Sequence, residues 1–478
     1  MSAVRPRASE GLPIGFEVVL DRDTRILDGG LTLLGGSPIR LLRLTGRAHS
    51  LLVGRTLAVR SRAGALLADH LLEAGMAHPV VSRLPSPADA RCTFVVPVRD
   101  RPRELDRLLA GIDGADPVIV VDDASRRPGE IEDVAARHGA RFVGLDANVG
   151  PGAARNVGLR LADTPFVVFV DSDIVLALET VSTLLRHFAD PKVAVAVPRI
   201  TGLQTPTASG WIGRYERARS SLDLGSRPAR VQPGTLVSWA STACAVVRAD
   251  ALPDGFDERL RAGEDVDLIW RAVEDGWRIR YEPSVQAAHE HRVRFGDWAL
   301  RKAVYGTGAH PLAQRHPEFI APAVFTPWTA AFTLALLAQR RWSVPVAGAV
   351  YGIAAVRIAG RLRGTRRPAR LALSLTSMGA ISALTQTSAL LTRHWWPASA
   401  LGCLASRRVR RAVLAAAVSD VVLEYCRGDA ALDPVRHGLA RRIDDLAYGA
   451  GVWWSAARGG SAAALRPRLR TRVWGSGR

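Results

Sequence analysis

Four apolar runs between residues 92 and 170 constrain the fold of this chain more than any other feature of its sequence. A short run in which nearly every residue is apolar is typical of a strand that is buried on both faces. Segments with helical periodicity separate the runs, so the series predicts alternating strands and helices around a parallel sheet. The predicted strands are Thr93–Val98, Val118–Asp122, Phe142–Leu145 and Phe166–Val170, and the predicted helices are Glu104–Gly111, Ile131–His138 and Gly152–Leu161.

Carboxylates follow two of these predicted strands. Asp122 and Asp123 lie in VVDDAS, and Asp171 and Asp173 lie in VDSD. Each pair alone also fits an ordinary turn or cap. Ligands of such sheets bind beyond the carboxyl ends of the strands, so we expect the four side chains to line one site. Because Mg²⁺ and Mn²⁺ prefer oxygen ligands and keep positions open for phosphate, the spacing favours a nucleotide diphosphate with a divalent cation.

The segment NVGPGAARNVG, residues 148–158, predicts a helix start close to a ligand. Pro151 suits the first turn of a helix, and the glycines allow a ligand to approach the backbone closely. Arg155 lies on the predicted helix. A helix start without a ligand explains the segment equally well.

A second helix start, GEDVDLIWR from Gly263, carries acids in its first turn. Complementation of the helix dipole alone would explain Glu264 and Asp265. The functional interpretation makes Asp265 a general base, because an attacking hydroxyl must lose its proton to a suitably placed group. Glu264 is the second candidate for a catalytic carboxylate.

Two histidines alternate in AHEHR, which we expect to be a strand. His289 and His291 then point to the same side. Most single histidines are structural, but an imidazole beside a carboxylate-bound metal can serve as a further ligand. We select His291 as the metal ligand of the pair.

The segment before these motifs predicts a small β/α domain. Turn residues separate its strand-like runs, and two helical patterns follow them. Residues 80–91 then form a linker that contains Pro and Ser. The predicted strands are Phe16–Leu20, Leu31–Leu34 and Arg40–Leu44, and the predicted helices are Ala48–Leu57 and Ala63–Ala74.

The segment after the motifs alternates apolar stretches with arginine clusters. Residues 341–478 contain 22 Arg and six acidic residues, which account for +16 of the net charge of +19. The uncharged stretch 371–392 is long enough to span a bilayer, although its Ser and Thr content makes it a marginal span. A soluble helical bundle is the alternative. We expect membrane association, because this charge would be attracted to anionic lipid headgroups.

The motifs FVVPVRDRP, VVDDAS, NVGPGAARNVG, VDSD and GEDVDLIWR, in this order, resemble the family-two glycosyltransferases with a GT-A fold over about residues 92–295. The resemblance implies inverting transfer from a nucleotide sugar, with Mg²⁺ or Mn²⁺ as cofactor. The Q-x-x-R-W motif is absent from the sequence, which argues against a processive polysaccharide synthase. The implied roles are Asp123 for the uracil, Asp171 for the ribose or the metal, Asp173 for the metal and Asp265 for the base. To these we add His291 as a metal ligand, Glu264 as a catalytic carboxylate, and Pro97, Asp122, Asn148 and Arg155 as residues of the nucleotide-sugar site.

A narrower resemblance covers nearly the whole chain. The segments LDGG, LLGGSPIRLLRL, GEDVDLIWR and HRVRFGDWALRKAVYGTGAHPLAQRHP are similar to the glycosyltransferases of the mycofactocin system. That family adds a β-linked glucose chain to a peptide-derived redox cofactor, so the implied donor is UDP-glucose. The N-terminal segment also resembles small winged-helix elements that recognise peptides, and a structural β/α cap is the equal alternative.

The prediction is therefore an α/β chain in three parts. Residues 1–90 form a small winged-helix-like domain, and residues 91–315 form a GT-A-type nucleotide-sugar-binding domain with a mainly parallel sheet. Residues 316–478 form a helical, Arg-rich region at the cytoplasmic side of a membrane. The expected partners are a UDP-sugar, a peptide-derived acceptor and an anionic membrane surface, but no nucleic acid. The alternatives are a membrane-associated transferase that loads sugar onto a lipid carrier or cell-envelope glycan, and a non-enzymatic binder of anionic polymers, against which the ordered acids argue.

Overall fold

A computed structural model describes residues 11–87, 89–112, 114, 116–205, 209–426 and 432–471. The chain divides into two compact units, which are residues 1–208 with 220–291 and residues 209–219 with 292–478. The predicted boundaries at residues 90 and 315 stay predictions, and residues 1–10 and 472–478 of the predicted outer domains lie outside the described residues.

The N-terminal part of the first unit contains two small antiparallel sheets of three strands each. A hydrophobic core that includes Phe16, Leu57, Leu71 and Met76 holds the sheets and one full helix together. The elements are β1 (Glu17–Leu20), β2 (Arg25–Leu27), β3 (Thr32–Gly35), β4 (Arg40–Arg43), α1 (Gly46–Ser50), β5 (Thr56–Ala58), α2 (Arg62–Glu73) and β6 (Ala77–Pro79). The sheet orders are β5–β1–β6 and β2–β3–β4.

The predicted winged-helix arrangement is not confirmed. The predicted helix Ala63–Ala74 is present as α2, which begins after Ser61, whose Oγ accepts a hydrogen bond from the Gly64 N–H at 3.2 Å. The helix predicted over Ala48–Leu57 was wrong beyond its first turn. Gly54 has φ +63°, which ends helical geometry, and the next residues enter the sheet as β5 with Leu57 fully buried.

The larger sheet of the first unit has nine strands and carries the motifs. Its strands are β7 (Cys92–Val98), β8 (Val118–Asp122), β9 (Arg141–Gly144), β10 (Phe166–Val170), β11 (Ile174–Leu176), β12 (Val193–Gly202), β13 (Ala229–Val231), β14 (Cys244–Arg248) and β15 (Arg278–His289). The helices over this stretch are α3 (Pro102–Leu109), α4 (Pro128–Arg137), α5 (Pro151–Leu161), α6 (Thr180–Arg186), α7 (Trp211–Arg219, in the second unit) and α8 (Glu264–Glu274). All four strands and all three helices predicted between residues 92 and 170 are therefore present.

The sheet is mixed, so the prediction of a mainly parallel sheet is not confirmed. Its strand order is β11–β15–β12–β14–β10–β7–β8–β9, and β13 also pairs with β15. The pairs β10–β7, β7–β8 and β8–β9 are parallel as predicted, but β14 is antiparallel to both of its neighbours. An apolar run indicates burial without indicating strand direction, which is why the second half of the sheet was not anticipated.

β15 is the longest strand, and a bulge divides it. Glu282 pairs with Pro198 of β12, and Gln286 pairs with the next residue, Arg199. Residues 283–285 therefore fall outside the regular register. The half before the bulge pairs with β13, and the half after it pairs with β11 and ends at His289.

The first half of β15 also contacts the N-terminal part of the unit through two buried arginines. Arg278 contacts Asp69 of α2 at 2.6 Å and Asp190 at 2.8 Å. Nη2 of Arg280 lies 3.2 Å from Nδ1 of His78, whose Nε2 contacts Asp21 at 3.0 Å. This strand thus joins the N-terminal sheets to the site described below.

The second unit is helical, as predicted for the C-terminal region. Buried ion pairs link its helices: Lys302 of α9 contacts Glu216 of α7 at 2.7 Å and Asp444 of α16 at 3.5 Å. Besides α7, its elements are α9 (Phe295–Thr307), α10 (Ala309–Arg315), β16 (Val324–Phe325), α11 (Pro327–Leu337), α12 (Ser343–Arg361), α13 (Pro368–Ala389), α14 (Trp396–Ala405), α15 (Arg407–Cys426), α16 (Pro434–Arg458) and β17 (Arg468–Leu469).

Within the described part of the chain, α12 is the one helix whose length and composition would suffice to cross a membrane. Its mean hydropathy is 1.4. The predicted marginal span 371–392 falls mostly on α13, and membrane association stays a prediction.

Candidate active site

Asp123 fixes the loop that precedes α5. Its carboxylate accepts hydrogen bonds from Nδ2 of Asn148 at 2.9 Å, from the Val149 N–H at 2.7 Å and from the Gly150 N–H at 3.0 Å. Gly150 has φ +95°, and a Cβ atom there would lie 2.6 Å from Nη1 of Arg261. The structure thus brings the predicted residues Asp123 and Asn148 together, and only glycine suits the position that joins them to α5.

Asp122 and Pro97 lie near the carboxyl ends of the neighbouring parallel strands β8 and β7. Asp122 is buried at the end of β8, and its carboxylate accepts hydrogen bonds from the N–H and the hydroxyl of Ser125. Pro97 is buried in β7, where it pairs with Val121. Both residues belong to the strands that lead to the site, and their contact with a nucleotide stays a prediction.

Arg155 connects the two groups of acids that the sequence places 93 residues apart. The side chain is buried on α5, and its guanidinium pairs with Asp171 and lies 3.5 Å from Oε1 of Glu264. Burial alone would lower the pKa of Arg155, but the charges of Asp171 and Glu264 raise it. The guanidinium also lies over the ring of Phe256, 5.5 Å from its centroid. Arg155 therefore stays charged at the centre of the site.

Asp265 lies beside this cluster at the start of α8 and is half-buried. Burial and the neighbouring charge of Glu264 raise the pKa of Asp265 to about 7, although Arg155 and the Val266 N–H act in the opposite direction. The Val266 N–H donates to Oδ1 at 2.8 Å. A carboxylate with this proton affinity can both take up and release a proton near neutral pH.

Asp173 follows β10 and has two basic partners. The guanidinium of Arg101 pairs with its Oδ2 atom, and Nε2 of His289 lies 3.5 Å from the same oxygen. Burial opposes ionisation, but the hydrogen bond and charge of His289 and the charge of Arg101 lower the pKa of Asp173. Nδ1 of His289 lies 3.3 Å from Nδ1 of His291. His289 thus stands between the two residues that were predicted to bind metal.

The donors at Asp173 fit a divalent cation in their chemistry. A carboxylate oxygen and an imidazole nitrogen that converge on one point are ligands that Mn²⁺ and Mg²⁺ accept. Among the residues that the structure describes, no group of three His, Cys, Asp or Glu side chains is arranged to hold a metal by itself. Mg²⁺ usually binds proteins through one or two carboxylates and takes its other ligands from water and substrate phosphates, so the small donor set is compatible with a metal that arrives with a diphosphate.

Three residues of the site were missed or passed over by the sequence interpretation. Arg101 pairs with Asp173, and Arg261 donates to Oδ1 of Asn148 at 3.4 Å. His289 was recognised as one of a pair, but His291 was selected. Arg101 carries a usable signal, since it lies between a buried strand and a helix that starts with proline. Arg261 carries none, because it lies in an irregular segment.

Known glycosyltransferases resemble this chain in sequence. The sequence pattern described as glycosyl transferase family 2 matches residues 93–256. A protein named pre-mycofactocin glycosyltransferase from Mycobacterium tuberculosis is 42% identical over 482 residues, which cover 96% of this chain and 99% of the relative. An N-acetylglucosaminyltransferase from Mesorhizobium japonicum is 28% identical over 208 residues, which cover 40% of this chain and 48% of the relative. A solved mannosyltransferase from Pyrobaculum calidifontis is 18% identical and covers 63% of this chain and 88% of its own, but the TM-score is only 0.38.

Proposed function

Since this chain belongs to the family of the mycofactocin-system glycosyltransferases, and is therefore a glycosyltransferase, we propose that it transfers glucose from UDP-glucose to a peptide-derived precursor of a redox cofactor. The transfer chemistry is supported by Asp265. The pKa of this carboxylate is raised to about 7, and it lies beside the pair of Arg155 and Asp171. Family membership supports the acceptor, because the name of the M. tuberculosis relative refers to pre-mycofactocin.

The nucleotide half of the donor would lie at Asp123 and the loop that it fixes. An ionised carboxylate has about four acceptor positions, and three hydrogen bonds from the loop leave one for the imide N–H of uracil. Arg155 and Arg261 supply positive charge near the carboxyl ends of the strands, where the diphosphate of the donor would need it.

Asp173 and His289 would hold the divalent cation, with His291 behind His289. When bound, the cation neutralises the negative charge that develops on the diphosphate as it leaves. The chain's own contribution is to present one carboxylate oxygen and one imidazole nitrogen and to leave the remaining positions to the diphosphate.

Transfer then follows by a single displacement. The acceptor hydroxyl oxygen forms a bond to the anomeric carbon, the bond from that carbon to the diphosphate breaks, and the hydroxyl proton passes to Asp265. One displacement at one carbon inverts its configuration, so an α-linked donor yields a β-linked glucoside. Asp265 suits this role because its pKa lies near the working pH of a general base.

Product mass tests the proposal directly. Purified protein is incubated with Mn²⁺, a peptide-derived acceptor and UDP-glucose, UDP-galactose or GDP-mannose in parallel. We expect the acceptor to gain the mass of one or more hexoses with UDP-glucose, and the Asp173→Ala variant to give no product. Transfer from GDP-mannose but not from UDP-glucose would overturn the donor assignment. Full activity in excess chelator would overturn the proposed requirement for a divalent cation.

We also propose that the second unit attaches the protein to the cytoplasmic face of a membrane. Several apolar side chains of α12 are exposed, among them Val344, Ile353 and Val356. An arginine-rich segment runs from the end of α12 to the start of α13 and would meet anionic headgroups. Its arginines are residues 361, 363, 366, 367 and 370.

The same observation favours a second candidate function, which is transfer of sugar to a lipid carrier or an envelope glycan. The two functions differ in the acceptor. A deletion strain that accumulates sugar-free cofactor precursor would support the first function, and one that accumulates an unloaded lipid carrier would support the second.

A further inference from the structure

Arg101 occupies the side of Asp173 that a cation would need. Its guanidinium and the imidazole of His289 approach the same carboxylate oxygen, Oδ2. The negative charge of Asp173 is therefore already compensated by a cation that belongs to the chain. A divalent ion that approaches Oδ2 would meet the positive charge of Arg101 at close range, and like charges at such distances repel strongly.

The backbone next to Arg101 is fixed, whereas its side chain has room to move. The Asp100 N–H donates to Oγ of Ser125 at 2.8 Å, and the Arg126 N–H donates to Oδ1 of Asp100 at 2.7 Å. These bonds hold the segment between β7 and α3 against the neighbouring strand end. The side chain of Arg101 remains 28% exposed, so it can leave Asp173 without any change in the backbone.

The charges around Arg101 indicate where its side chain can move. The positive charge of Arg101 interacts with Asp171 and Glu104 as well as with Asp173. Of these acids, Asp171 also pairs with Arg155, one of the two arginines that would face the proposed diphosphate. A guanidinium can donate two parallel hydrogen bonds to phosphate oxygens. A diphosphate is therefore a better partner for Arg101 than the Asp173 carboxylate once that carboxylate binds a metal.

We propose that Arg101 is a positioning residue that neutralises Asp173 in the free enzyme, yields this carboxylate to the divalent cation and then binds the donor diphosphate. This inference rests on the proposed function, since it assumes that Asp173 is a metal ligand. Its consequence is that metal and nucleotide bind together: the ion alone must compete with Arg101, whereas the ion with its diphosphate gives Arg101 a new partner.

Binding of Mn²⁺ to the full chain tests this without any turnover. The free-ion signal in electron paramagnetic resonance is measured as protein is added, with and without UDP. We expect Arg101→Gln to bind Mn²⁺ alone about tenfold more tightly than the wild type, because a repelling charge is removed from a partly buried site. With UDP present, the variant should lose affinity for the Mn²⁺–UDP complex, because a phosphate ligand is lost.

Arg103→Gln is the matched control. Arg103 is exposed in the first turn of α3, and its substitution removes the same charge without touching Asp173. Asp173→Asn in the Arg101→Gln background should abolish the gain, which shows that the same carboxylate is involved. Thermal unfolding of each variant verifies that the fold is retained.

The outcomes separate the inference from the function on which it rests. If the wild type binds Mn²⁺ with UDP, but Arg101→Gln binds the free ion no more tightly than the wild type, the inference is wrong and the metal site stands. If the wild type binds no Mn²⁺ even with UDP, the proposed metal site fails, and the inference fails with it.

Discussion

At the scale of a single residue, Glu264 adds to the effect of burial on the proton affinity of its neighbour Asp265. Burial and the charge of Glu264 raise the pKa of Asp265 to about 7. A general base must be deprotonated to accept a proton, so kcat/KM should fall as the pH is lowered through about 7. In Glu264→Gln a repelling negative charge is gone, so the pKa of Asp265 drops and the acid limb of the pH profile moves to lower pH.

Glu274→Gln provides the control for that pH profile, since Glu274 lies at the far end of the same helix and is exposed. Its acid limb should coincide with that of the wild type. An acid limb that stays in place in Glu264→Gln would show that Asp265 is not the group that titrates.

Removal of the base itself gives a second prediction. Asp265→Asn should bind the donor nearly as the wild type does but transfer sugar about 10²–10⁴-fold more slowly, which is the usual contribution of a general base. Titration with UDP measures donor binding, and product mass over time measures transfer. Retention of the wild-type rate would assign the base to Glu264 or another group.

At the scale of secondary-structure elements, β15 depends on a buried charge pair with the segment that precedes β12. Arg278 and Asp190 are both nearly inaccessible to solvent and lie 2.8 Å apart. Arg278→Met would leave the carboxylate buried without its main partner, so we expect a loss of about 3–5 kcal/mol in the free energy of unfolding. Denaturant unfolding measures it.

Arg127→Met is the control for this loss, because the pair of Arg127 with Glu130 is exposed and should contribute little. If Arg278→Met unfolds at the same denaturant concentration as the wild type, the pair of Arg278 with Asp190 does not stabilise β15.

The elements that the sequence predicted correctly are those with a strong local signal. Strands β7 to β10 follow from their apolar runs, and α2 follows from its Ser cap and apolar spacing. The antiparallel direction of β14 has no local signal, since it depends on which strands lie beside it.

The site residues also differ in how strongly the local sequence marks them. Asp123, Asp171, Asp173 and Asp265 were selected because strand ends and helix starts mark them, and their roles stay predictions. The pairing of Arg155 with both Asp171 and Glu264 is a tertiary contact that no spacing encodes. The choice of His291 over His289 depended on strand geometry, which the structure supplies.

At the scale of the whole molecule, the uneven charge predicts how the protein partitions. Basic residues near an anionic surface contribute roughly 1 kcal/mol each. We expect the protein to sediment with vesicles that contain phosphatidylglycerol at low salt. Release by high salt would indicate surface attachment, because salt screens charge, whereas a requirement for detergent would indicate that α12 spans the bilayer.

Substitution of the exposed face of α12 tests the apolar part of this attachment. The double variant Ile353→Asp with Val356→Asp should bind vesicles more weakly than the wild type, and Leu178→Asp, which changes an exposed leucine of the first unit, should not. Recovery of the wild-type protein entirely in the supernatant at low salt would reject membrane attachment.

The bulge in β15 bears on how such a chain can diverge. Residues 283–285 separate a half-strand that is tied to the N-terminal sheets from a half-strand that ends at His289. An insertion or deletion within these three residues would change the length of the bulge. It would not shift the side chains of either half-strand to the other face of the sheet. Relatives could therefore exchange the N-terminal part for another while His289 keeps its place, and the bulge is the position at which a chimaeric enzyme should be joined.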